Sequence, residues 1–151
     1  MIAGVRYSHT SLVARDWRAL ADFYQSVFGC TPVPPERDYS GPTIAAMTGV
    51  PDAAIVGAHL RLPGLGPDGP TLEIFGYSPL SGGPAPAINR PGLAHVAFHV
   101  DSVAEARREV LAAGGSAVGE IVVLTTSTGA RVTACYVTDP EGNIIELQAW
   151  E

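Results

Sequence analysis

The chain is two copies of one plan, and this limits its fold more than any other feature. "SHTSLVARDWRALADFY" (Ser8 to Tyr24) aligns with "AHVAFHVDSVAEARREV" (Ala94 to Val110). Each begins as a strand-like run with His second and passes through Asp or Ser into a helical pattern. "TLEIFGY" (Thr71 to Tyr77) aligns with "IIELQAW" (Ile144 to Trp150). Each has Glu third, apolar neighbours on both sides and an aromatic four residues after the acid. Each half therefore opens on a strand carrying His and closes on a strand carrying Glu. A repeat this long is no solenoid; it is a duplicated module.

Between those ends the elements are legible. Trp17, Leu20, Ala21, Tyr24, Val27 and Phe28 recur at helical spacing, with Asp16 placed to cap and Gly29 to terminate. Val103, Ala106, Val110 and Leu111 form the second stripe, Ser102 and Glu105 have capping-box spacing, and Gly114-Gly115 ends it. Strands are expected at 54–62 and 71–77 in the first half and at 118–125, 131–138 and 143–150 in the second. A further strand belongs somewhere around 30–46, where "TPVPPERDYSGP" is rich in proline, and "IAAMTGV" (Ile44 to Val50) reads as a short inserted helix. "GPAPAINRPG" (Gly83 to Gly92) is the linker between module one, about 1–82, and module two, 93–151, of a single domain. The expected fold is α+β, with two βαβββ modules in tandem.

Strand alternation assigns the faces. Leu72 and Ile74 pack while Thr71, Glu73 and Phe75 turn away. Ala94, Val96, Phe98 and Val100 pack while His95, Ala97 and His99 turn away. Ile145, Leu147 and Ala149 lie opposite Ile144, Glu146, Gln148 and Trp150. Tyr7, His9 and Ser11 share a face; Val56, Ala58, Leu60 and Leu62 are apolar, leaving His59 and Arg61 opposite. The polar face is mixed rather than simply charged, which suits a lined concavity. His9, Glu73, His95 and Glu146, at matching places in the two halves, form a candidate metal set. Imidazole nitrogen with carboxylate oxygen suits Zn, Ni, Co, Mn or Fe(II). Singly, each would read as an ordinary strand residue. His59 and His99 lack that symmetry: His99 reads equally as pocket lining or as an exposed residue, and His59 as an ordinary strand histidine. Arg61 reads either as a clamp for a substrate carboxylate or phosphate, or as an exposed strand arginine.

Composition excludes other classes. A formal charge of −6 with no Lys/Arg cluster argues against nucleic acid. No signal-peptide pattern and no apolar run of membrane-spanning length is seen, so a cytoplasmic protein is expected. Cys30 and Cys135 are too few for a disulfide framework or a thiolate site.

"SH" on the first strand, "TLEIF", "LAHVAFHV" and "DPEGNIIELQ" together resemble the vicinal oxygen chelate superfamily, which includes glyoxalases, methylmalonyl-CoA epimerase, extradiol dioxygenases and bleomycin- and fosfomycin-resistance proteins. The resemblance covers essentially the whole chain, and its closing motif is the most specific part. It implies paired βαβββ modules whose curved mixed sheets form a metal-binding cleft for one divalent ion per site, with His9, Glu73, His95 and Glu146 as ligands. A small-molecule substrate and a homodimer are also implied. Glu73 as a fourth ligand is similar to glyoxalases; epimerases typically carry Gln there, and dioxygenases a two-His, one-carboxylate set. The "SGPTIAAMTGVPDAAIVGAHLRLPG" stretch resembles epimerase-like members with an added segment. The implied chemistry is proton abstraction next to a carbonyl: the metal, as Lewis acid, takes two neighbouring substrate oxygens and stabilises an enediolate, and Glu146 or Glu73 moves the proton. Arg61, His99 and His59 are the candidates for touching substrate. The alternatives are an extradiol-type Fe(II) dioxygenase and a non-catalytic small-molecule-binding or resistance protein.

Overall fold

The computed structural model describes residues 2–151, which form two compact units, one ending at Gly82 and the other spanning Gly83–Glu151. Each unit is a mixed, open sheet with a helix packed on it.

In the first unit the chain runs β1 (His9–Val13), α1 (Trp17–Phe28), β2 (Thr31–Ser40), α2 (Pro42–Thr48), β3 (Ala54–Arg61) and β4 (Thr71–Ser78). The sheet order is β1-β4-β3-β2, with β1 parallel to β4 and the other pairs antiparallel. The first and last strands of the unit are therefore neighbours. Helix α1 starts where Asp16 Oδ1 accepts from the Ala19 N–H at 3.0 Å, and it stops at Gly29, whose φ of 67° only glycine adopts cheaply. Its stripe of Leu20, Ala21 and Tyr24 is buried, together with Leu60, Leu72 and Ile74 from the sheet. Each large apolar side chain so buried contributes roughly 1.5–3 kcal/mol. Val56, expected in that packing set, is instead exposed at the start of β3. Proline-rich β2 is a strand after all, because it lies at the sheet edge and its pairing with β3 shifts register between Val33 and Arg37.

The second unit runs β5 (Val96–His99), α3 (Val103–Ala112), β6 (Ser116–Ala117), β7 (Val122–Thr125), β8 (Arg131–Thr138) and β9 (Ile144–Trp150). Its order is β5-β9-β8-β6, with β7 also on β8 and β5 parallel to β9. Ser102 caps α3 by accepting from the Glu105 N–H at 3.3 Å. Of the strand expected at 118–125 only Val122–Thr125 forms, and the two-residue β6 lies ahead of it. From the Ala117–Val137 pair to the Val122–Ala134 pair, one chain advances five residues and the other three, so two residues must be looped out around Gly119. β5 is an edge strand, which leaves Val96 and Phe98 half-buried rather than buried. Leu147, Ile145, Val137 and Val110 make the core of this unit.

The turn Asp139–Asn143 sets the start of β9. Asp139 is 1% exposed, and its carboxylate accepts from the backbone N–H groups of Glu141 and Asn143, each at 2.9 Å, and from Asn143 Nδ2 at 2.8 Å. Gly142, at φ 91°, supplies the left-handed step. A buried carboxylate satisfied this way fixes where Glu146 falls three residues later.

Candidate metal centre

Sheet register brings the first set of donors together. His59 on β3 is directly opposite Glu73 on β4, and β1 lies on the other side of β4, pairing Ser11 with Glu73. His59 thus faces Glu73 directly, while His9, in register with Thr71, approaches Glu73 diagonally from the other side of β4. His59 Nε2 is 3.0 Å from Glu73 Oε1, and His9 Nε2 is 3.9 Å from Glu73 Oε2. The two imidazoles meet edge to face with centroids 5.5 Å apart. Both rings are turned by hydroxyls at their other nitrogen: Ser8 Oγ is 3.2 Å from His9 Nδ1, and Thr71 Oγ1 is 3.0 Å from His59 Nδ1. Burial pushes the His59 pKa below its usual value, against the opposing pull of Glu73, so the neutral ring with a lone pair to donate is favoured.

These three residues fit a divalent ion. A ligand nitrogen or carboxylate oxygen lies about 2.0–2.2 Å from zinc, so two ligands of one ion sit about 3–4 Å apart. The three ligand atoms here all lie within 4.8 Å of one another. Imidazole orientation by a hydrogen bond at the second ring nitrogen is the usual support for a metal-binding histidine.

The second unit repeats the pattern with one change. His95, just before β5, places Nε2 3.0 Å from Glu146 Oε2 on β9. Opposite Glu146, at the place His59 takes in the first unit, stands Tyr136, whose ring centroid is 5.2 Å from that of His95. The buried His95 Nδ1 has no hydrogen-bond partner among the described residues, unlike its counterpart on His9.

The remaining expected residues lie elsewhere on this framework. Arg61 is half-buried and donates from Nη1 to the Gly69 carbonyl. With Arg6, Tyr7, Ser8, Asp68 and Thr71 it borders a cavity of about 710 Å³. His99 ends β5, exposed, in register with Gln148. His59 lies outside the set of four that the repeat marks out. The signal that finds it is the hairpin's midpoint: reflected about Gly66 in the "PGLGPDGP" turn, position 59 falls on position 73.

A family model, the glyoxalase/bleomycin resistance protein/dioxygenase superfamily, matches residues 6–147. Among solved structures, a glyoxalase family protein from Bacillus cereus is similar with a TM-score of 0.80 at 20% identity, over 99% of each chain. A glyoxalase/bleomycin resistance protein/dioxygenase domain from Frankia aligns over 100% of both chains, with a TM-score of 0.59 and 20% identity. A genomically encoded fosfomycin resistance protein from Listeria monocytogenes, complexed with Mn(II) and sulfate, aligns with a TM-score of 0.51 and 17% identity, over 99% of this chain and 93% of that one. At such identities the likeness is one of fold. No curated protein matches the chain. The duplicated βαβββ plan, its imidazole–carboxylate pairs and the match over residues 6–147 agree: the chain belongs to the glyoxalase/bleomycin resistance protein/dioxygenase superfamily.

Proposed function

We propose that the chain is a divalent-metal-dependent isomerase, epimerase or lyase that moves a proton next to a carbonyl of a small-molecule substrate. The observation that supports this is an imidazole–carboxylate pair held at the same register in each unit, His9 with Glu73 and His95 with Glu146. We assign these four as ligands for divalent metal, one ion per site. When bound, the metal supplies Lewis acidity to the substrate's oxygens.

Holding and moving the proton falls to the carboxylates. The Glu73 and Glu146 side chains are only 13% and 22% exposed, which limits the water that competes with substrate for them. Glu73 has both oxygens turned to histidines, whereas His95 engages only Glu146 Oε2. That makes Glu146 Oε1 the better atom to take the α-proton and return it. Returning it to the neighbouring carbon gives isomerisation, and returning it to the opposite face gives epimerisation. Arg61, beside its cavity, binds a carboxylate or phosphate of the substrate, and His99 makes a further substrate contact. Superfamily members bind small molecules and often form dimers, and we infer a homodimer here, in the cytoplasm. No described helix is long and apolar enough to cross a membrane.

A second reading is favoured by one observation. His9, His59 and Glu73 are two histidines and a carboxylate, the donor type of non-haem Fe(II) oxygenases, which makes an extradiol-type dioxygenase the alternative.

The test is deuterium incorporation at the α-carbon of 2-oxo thioesters, hemithioacetals and keto-cyclitols, with the protein loaded in turn with Zn, Ni, Co and Mn. Incorporation is expected with at least one substrate and is lost in Glu146→Gln. No exchange with any metal, joined to Fe(II)-dependent O₂ uptake with catechols, would replace this reading by the second.

A further inference from the structure

The start of β4 gathers positive charge that the ligand set does not use. Arg61, the last residue of β3, pairs with Thr71, and Thr71 pairs in turn with His9 at the start of β1. Paired residues point their side chains to one face, so Arg61, Thr71 and His9 make one row, and His59, Glu73 and Ser11 make the next. Two such rows are about 6.6–6.8 Å apart along the strands. Arg6 reaches the same end of the sheet from the other flank of β4, on the segment that leads into β1. The two arginines, with Ser8, Thr71 and one acid, Asp68, border the cavity of about 710 Å³. Among the described residues Arg6 has no hydrogen bond or ion pair, and Arg61 donates only to the Gly69 carbonyl.

We infer that this cavity is a phosphate site: Arg6 and Arg61 together hold the dianionic phosphate ester of a short carbonyl substrate, beside the row that carries Glu73. The inference rests on the proton-transfer reading above and narrows it, since Arg6 has no role there and a carboxylate stands level with a phosphate. Charge and oxygen count separate the two anions. One guanidinium fork already satisfies both oxygens of a carboxylate, so Arg61 alone would suit that group. A second guanidinium, arriving from a different segment, calls for more oxygens and more charge. A phosphate ester offers three terminal oxygens and about 1.5 to 2 negative charges at neutral pH. Two arginines against Asp68 make this wall net positive in a chain whose formal charge is −6. Ser8 adds a neutral donor: its Oγ is 3.2 Å from His9 Nδ1, and on accepting from that nitrogen it keeps its own hydrogen for the anion. The cavity holds more than a phosphate alone, which leaves room for the chain attached to it. The spacing of the two rows is what about five bonds of an extended chain span, so the carbonyl lies only a few atoms from the ester.

Calorimetric titration of the full-length chain with inorganic phosphate and with acetate at pH 8, before and after EDTA treatment, separates the arginine site from the metal. Phosphate is expected to bind at one site per chain after EDTA, at least about tenfold more tightly than acetate. Arg6→Gln and Arg61→Gln should each weaken phosphate by at least about tenfold. Glutamine at position 61 keeps an N–H for the Gly69 carbonyl, so that variant is expected to fold, which circular dichroism checks. Asp68→Asn removes the one opposing charge and should tighten phosphate severalfold, a gain that misfolding cannot produce.

Phosphate bound only while metal is present, or no more tightly than acetate, would overturn the inference and leave the proton-transfer reading standing. So would wild-type affinity in either arginine variant, or no gain in Asp68→Asn. Phosphate binding as expected, without α-deuterium incorporation by the metal-loaded chain into phosphate esters of short hydroxy-ketones or into the carbonyl compounds above, sinks the proton-transfer reading alone.

Discussion

Asp139 gives the sharpest test of how the second unit is held together. Replacing it with Ala removes three acceptor contacts at 2.8–2.9 Å from a side chain 1% exposed to solvent. A hydrogen bond to a charged group contributes about 1.5–3 kcal/mol net, and a buried donor left unpaired costs a further part of its desolvation. Three such bonds set an upper figure of roughly 5–9 kcal/mol. Glu141, Gly142 and Asn143 are only half-buried, however, so water replaces part of what is lost. The expected cost of Asp139→Ala is therefore about 3–5 kcal/mol, a large share of the 5–15 kcal/mol typical of a folded domain. Asp139→Asn keeps one neutral acceptor but turns an amide toward Asn143 Nδ2, and is expected to cost about half as much. Urea denaturation followed by circular dichroism measures both, with an unchanged m-value marking an unaltered native fold. A cost below about 1 kcal/mol for the Ala variant would refute the argument that this turn is fixed by its carboxylate.

Gly57→Ala is expected to destabilise by about 3 kcal/mol, because its Cβ would fall on the Ile74 carbonyl and the Phe75 ring and lie 2.9 Å from Phe75 Cα. Thermal melting checks this against Gly82→Ala, where a Cβ meets nothing within 4 Å and little change is expected. Cys30 is 3% exposed, and burial raises its pKa from 9.0 to about 11. The unfolded chain therefore loses this proton first: the stabilisation is complete below about pH 9 and is lost as pH rises towards 11, which denaturation midpoints across that range will show. At pH 8 the folded chain should also leave Cys30 unlabelled by aromatic disulfide reagents that modify it readily in urea.

Much of this molecule can be read from short-range sequence signals. Both long helices begin at the caps expected, Asp16 and Ser102, because a cap is a contact between residues three apart. His9, Glu73, His95 and Glu146 stand out because each is repeated, and the fold places each histidine beside its acid. What escapes such reading depends on partners far along the chain. β2 carries Pro32, Pro34 and Pro35, which argue against a strand until its edge position is known. The break between β6 and β7 exists only as a mismatch against β8. His59 reads from the sequence as an ordinary strand histidine or a substrate contact, because only the length of the turn between β3 and β4 puts it across from Glu73.

The parallel pairing of β1 with β4, and of β5 with β9, has a consequence for how the molecule assembles. In each unit the histidine enters with the first strand and the glutamate with the last, so the chain between them must already be ordered before the two can meet. Contacts of such high sequence separation carry the largest loop-closure entropy and form late. Each imidazole–carboxylate pair is then the seam along which its unit closes. During synthesis, a chain that has emerged only as far as β3 holds His9 and His59 but not yet Glu73. Capture of metal by the first unit would consequently mark completion of that unit's folding rather than initiate it, and a stopped-flow refolding trace read by cobalt absorption should lag behind the one read by backbone dichroism.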